Sequence, residues 1–160
     1  MSRFRPAEVC HAQPMTSPDR LPTTNRVMAV LDTAEAAAAA VEALEREGFA
    51  AGDALVLRGE RDAARIDSLG NAGGLWARAR RLLWFTLADQ VVDLAVYVAA
   101  LRDGRTVVSV LVSGDAGRER ARRALAGSGA HFMNFFGRLA TEDMVPWRGP
   151  ELPLPPWLRR

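Results

Sequence analysis

Lysine is missing from this chain: all 21 basic residues are arginine. That excludes a Schiff-base or amine catalyst and the phosphate-gripping lysine of a P-loop. Cysteine occurs once, at Cys10, so no disulfide can form within the chain, which suits a reducing compartment. Histidine occurs only at His11 and His131, and with Cys10 these fall short of the four ligands of a closed zinc site. Long apolar runs are missing too. The stretches 82–88 and 94–101 are separated by Asp89 and Asp93, and neither approaches the roughly 20 apolar residues of a spanning helix. Arg3 and Arg5 are followed by charged and proline residues rather than by the apolar core of a signal peptide. A large excess of charge is missing as well: the net charge of +2 is a weak pull on nucleic acid. The chain reads as cytoplasmic, with no metal and no cofactor.

What is present fits one globular domain. The 160 residues are 49% apolar and 25% charged, enough to build a core without staples. Residues 1–25 carry four prolines among polar residues and read as a flexible N-terminal tail. Residues 26–31 (RVMAVL) read as a short buried strand. Asp32 and Glu35 form a capping-box pattern for a helix over 33–47, with Ala37, Ala40, Val41 and Leu44 as its apolar stripe and Gly48 as its stop. Residues 53–58 make a second strand. A second such unit follows: a β-branched strand over 105–112, a helix over 115–126 capped by Ser113, and a strand over 131–137.

The two units superimpose at an offset of 81 residues: Val27 on Val108, Asp32 on Ser113, Leu44 on Leu125, Gly48 on Gly129. The spacing predicts an α+β fold, a ferredoxin-like β-α-β repeated twice over residues 26–140, with two helices on one face of four strands. A long helical insertion, residues 61–104, lies between the halves and is too long to be bare loop. Within it Leu83, Leu87, Val91, Leu94, Val98 and Leu101 recur at steps of 4, 4, 3, 4 and 3, an apolar seam on a helix over 75–101. A second row (Trp84, Ala88, Val92) gives that helix another side to bury. An open sheet face and a two-sided helix both call for cover, so a homodimer is expected. Residues 141–160 read as a Pro/Trp-rich C-terminal tail, whose prolines oppose a central strand and whose Trp147 and Trp157 are anchors.

These segments resemble the small bacterial general stress proteins, the heat-induced and low-temperature-induced group. The likeness rests on VMAVLDTAEAAAAAVEALEREGFA at 27–50, YVAALRDGRTVVSVLV at 97–112 and GSGAHFMNFFG at 127–137. It implies a stress context and the same ferredoxin-like fold, and brings no catalytic residues with it. The middle segment of such proteins is often nearly uncharged, whereas here Arg78, Arg80, Arg81, Asp89 and Asp93 charge it.

Candidate chemistry is sparse. Asp89, Asp93 and Tyr97 share one helix face, where paired carboxylates suit acid–base work or a cation, or simply form a solvated stripe. An enzyme would need Asp93, Tyr97 and His131 in one pocket. No nucleophile elbow occurs, and the strands meant to be central lack the base-stacking aromatics of an RNA-reading sheet. The expectation is a non-enzymatic interaction or regulatory module. It would present Leu83, Leu87, Val91, Leu94 and Val98, with Trp147 and Trp157, to a second copy or a protein partner. The alternative is an anion-binding role, in which Arg78, Arg80 and Arg81 with Trp76 and Trp84 meet an anionic membrane surface or ligand. Arg118, Arg120, Arg122 and Arg123 crowd a second basic helix, read either as a binding face or as a solvated one. Nucleic acid is not an expected partner.

Overall fold

The computed structural model describes residues 23–67, 88–138 and 140–152. Their element order is β1 (Arg26–Leu31), α1 (Ala34–Arg46), β2 (Ala54–Arg58), α2 (Gly59–Asp67), α3 (Ala88–Arg102), β3 (Thr106–Leu111), α4 (Gly114–Gly127), β4 (Phe132–Phe136) and β5 (Thr141–Val145). The fold is α+β. Five strands make one sheet in the order β2-β3-β1-β4-β5, each antiparallel to its neighbours.

The sheet is buried on both sides, and β1 shows why its sequence is apolar without alternation. Val27, Ala29 and Leu31 point into a core shared with Ala37, Ala40 and Leu44 of α1 and Ala121 and Leu125 of α4. Met28 and Val30 point the other way, into a core shared with Ala63 and Ile66 of α2 and Tyr97, Val98 and Leu101 of α3. Each large apolar side chain buried this way contributes about 1.5–3 kcal/mol over its exposed state. The two halves follow the internal repeat. Both first helices end at a glycine with positive φ, Gly48 at 89° and Gly129 at 86°, where any other residue would be strained.

Several expectations are corrected here. The sheet face expected to be open is covered by α2 and α3, so the insertion roofs its own sheet. The first helix is capped by Thr33 rather than Asp32: the Ala36 amide donates to Thr33 Oγ1 at 3.1 Å. The expected C-terminal tail opens with a strand. β5 pairs with β4 at the edge, ends before Pro146, and so escapes the restriction that proline sets on a central strand. Beyond it the chain folds back. Leu152 is buried in the α2/α3 core and Trp147 packs against it. The insertion also begins earlier than residue 61, since α2 follows β2 directly at Gly59.

Both sheet edges are guarded. The Asp62 carboxylate accepts the Arg58 amide of β2 at 2.8 Å, and β5 exposes Glu142 and Asp143. Charges placed this way discourage edge-to-edge pairing. Among the described residues no helix is long and apolar enough to cross a membrane.

Candidate functional site

The residues singled out from the sequence fall in three places. Trp76, Arg78, Arg80, Arg81, Leu83, Trp84, Leu87 and Trp157 lie outside the described residues, and Val91 lies in α3 without a described side chain. Leu94 and Val98 are in α3, where Val98 is buried in the core and Leu94 packs against it half-buried. That part of the seam faces its own sheet. Trp147 is half-buried at the end of the sheet.

Tyr97 is wholly buried on α3 above the middle of the sheet, between the rings of Phe132 at 5.0 Å and Phe136 at 6.0 Å. Its hydroxyl lies 2.8 Å from the Met28 carbonyl oxygen and 2.9 Å from Asn134 Oδ1, so one proton serves two acceptors. Asn134, also fully buried, donates from Nδ2 to Asp143 Oδ1 at 2.6 Å and carries the network to the β5 edge. Burial pushes the Tyr97 hydroxyl well above the ordinary tyrosine range. The charges of Asp93 and Asp143 push it the same way, so the group remains a donor.

His131 sits elsewhere, just before β4, in a cluster that sequence spacing conceals. Its Nε2 lies 3.0 Å from Asp32 Oδ1, a contact across 99 residues. Arg105 Nε donates to the same oxygen at 3.0 Å, and the Arg105 guanidinium also pairs with Asp103. Trp147 closes the cluster, with its ring edge-on to His131 at 4.7 Å and beneath the Arg105 guanidinium at 5.4 Å. The Trp147 indole donates to the carbonyls of Gly149 and Pro150, and the Arg148 amide donates to the His131 carbonyl. His131 Nδ1 is buried with no partner among the described residues. A proton there would be an unsatisfied buried donor, whereas one on Nε2 would donate to Asp32. Burial pushes the Asp32 carboxyl up, but the hydrogen bonds from His131 and Arg105 outweigh it and hold the group below the ordinary carboxylate range. The cluster thus clamps the C-terminal segment to the ends of β1, β3 and β4.

Tyr97 and His131 therefore do not converge on one site: the Tyr97 hydroxyl turns to Asn134 and the His131 ring to Asp32. The α4 arginines are largely engaged within the chain. Arg118 pairs with Asp115 and Glu142, Arg122 with Glu119, and Arg123 with Glu47 at 3.3 Å. Among the described residues no group of three histidine, cysteine or acidic side chains is placed to hold a metal. The sequence reading missed the His131–Asp32–Arg105 clamp and the Asn134 relay. The one local signal was polar Asn134 inside an aromatic strand, FMNFF.

Comparison with models of known families, with curated proteins and with solved structures finds no match for this chain.

Proposed function

We propose that this chain is a non-enzymatic module of a bacterial stress response that acts by associating with itself or with a protein partner. The reading takes the domain as ferredoxin-like. Support for that comes from the order β2-β3-β1-β4, with the two repeat helices α1 and α4 on one face, β5 being an addition at the edge. The stress context rests on the resemblance of residues 27–50, 97–112 and 127–137 to general stress proteins.

The observation that carries the reading is where the capable side chains are spent. Tyr97 and Asn134 bond to each other inside the core, and His131, Asp32 and Arg105 bind the C-terminal segment down. Groups held this way stabilise the fold, which supports a structural rather than a catalytic use of them. The test is gentle purification from the native host at low and high salt, with identification of what co-elutes. A second copy or a stoichiometric protein is the expected result. Lipid or another polyanion that leaves with salt, and no protein, would overturn the reading in favour of an anionic surface met through Arg78, Arg80 and Arg81.

A further inference from the structure

The layer made by α1 and α4 divides its charge between its two helices. The outer stripe of α1 exposes Glu35, Glu42 and Glu45, with Arg46 as its one basic residue. None of the three glutamates enters an ion pair among the described residues. The outer stripe of α4 exposes Arg120 and Arg123 beside Asp115 and Glu119, with Arg123 also reaching Glu47 at 3.3 Å, and the whole helix holds four arginines against two acids. Arg120 lies over the Phe49 ring at 5.7 Å and has no carboxylate partner among the described residues. Between the charges the outer surface is small: Ala38 and Ala39 on α1, Ala116 and Ala126 on α4. Side chains of that size let another helix approach closely.

Geometry turns this division into self-complementarity. β1 and β3 are antiparallel, and α1 and α4 each turn back along their own strand, so the two helices run antiparallel side by side. A two-fold axis parallel to them, midway between them and just above the layer, sets each acidic α1 on the basic α4 of a second copy. Both contacts are made at once, which is the isologous arrangement of a closed dimer. We propose that the α1/α4 face is a self-association surface whose partner is a second copy of this chain, docked α1 on α4 by opposite charge. The proposal rests on the self-association reading above. It uses a face of the domain rather than its edges, which Asp62, Glu142 and Asp143 guard.

Light scattering on two reversed variants tests it. E42R/E45R makes both helices basic, and R120E/R123E makes both acidic; all four sites are exposed. The wild type is expected at twice 17.4 kDa in low salt and at 17.4 kDa in high salt. Each variant alone is expected as a single chain, and an equal mixture is expected to recover the two-chain mass with one of each. Variants that remain paired with themselves like the wild type would overturn the proposed face while leaving self-association standing. A wild type that is a single chain at every salt concentration would overturn both. A mixture that stays monomeric, with both variants helical by circular dichroism, also overturns the face. If a reversed variant fails to fold, E42Q/E45Q and R120Q/R123Q replace the pair. Each is then expected to weaken association at least tenfold, and an unchanged affinity in both would overturn the proposal.

Discussion

Tyr97 is the only tyrosine in the chain, so its ionisation can be watched without interference. Buried and raised, it keeps its proton in the folded state at pH values where the unfolded chain, with a tyrosine near 10, has lost it. The folded state then binds more protons than the unfolded one, so stability falls as pH rises above about 10. Tyrosinate absorbance is expected to appear together with unfolding rather than before it. Tyr97→Phe should remove this part of the alkaline loss. It should also cost about 1–3 kcal/mol at neutral pH, because the Met28 carbonyl and Asn134 Oδ1 lose their donor in the core. Urea unfolding at pH 7 and pH 10.5, followed by circular dichroism, checks both parts (the second value set about half a unit above the ordinary tyrosine pKa). Gly149 is a second residue-scale constraint. A Cβ there would lie 2.6 Å from Trp147 Cζ2 and 2.7 Å from His131 Cε1, both ring atoms of the clamp. Gly149→Ala is expected to cost about 1–3 kcal/mol and to change the tryptophan fluorescence, as overpacking forces the indole off His131.

At the scale of elements, α3 decides between two uses of one apolar seam. A seam that served mainly as a docking surface would lose affinity on truncation and keep its fold. Val98 and Leu101 are 7% and 1% exposed, so their loss falls on the fold. Leu101→Ala is expected to cost about 2–5 kcal/mol in urea unfolding, while the apparent mass at low salt stays as it was below the transition. The same element shows where sequence legibility ends. A 4-4-3 periodicity identifies a helix and its apolar side, and α3 over Ala88–Arg102 agrees with it. Periodicity does not say whether that side meets the chain's own sheet or a neighbour. β1 and β3 were legible because a strand buried on both faces is apolar at nearly every position. β5 (TEDMV) was not, because an edge strand needs little apolar surface and its pairing partner is set by tertiary structure. The clamp was the least legible part. Asp32 suits a helix cap by residue type, yet Thr33 takes the cap and leaves Asp32 to His131 and Arg105. No local rule chooses between adjacent Asp and Thr as a cap when a partner 99 residues away competes for one of them.

For the whole molecule, charge has two roles that respond differently to salt. Inside one chain the ion pairs are mostly exposed: Arg118 with Glu142, Arg122 with Glu119, Arg102 with Glu60. Exposed pairs contribute little, and the two buried cores do most of the work of folding, so added salt should change intrinsic stability little. Between chains, the proposed α1-on-α4 docking joins charges that have no such apolar backing, only alanines between them. Screening over roughly 10 Å at 0.1 M salt should weaken it steeply. Linkage makes the difference measurable. A dimer that forms only from folded chains raises Tm with protein concentration, because association drains the folded monomer. At low ionic strength, thermal unfolding is therefore expected to shift upward with each tenfold increase in concentration. In high salt the same series should collapse onto one concentration-independent Tm, close to that of R120E/R123E alone at low salt. A Tm independent of concentration at low salt would show that the folded chain does not pair, and one that still rises with concentration in high salt would place the contact on apolar surface elsewhere.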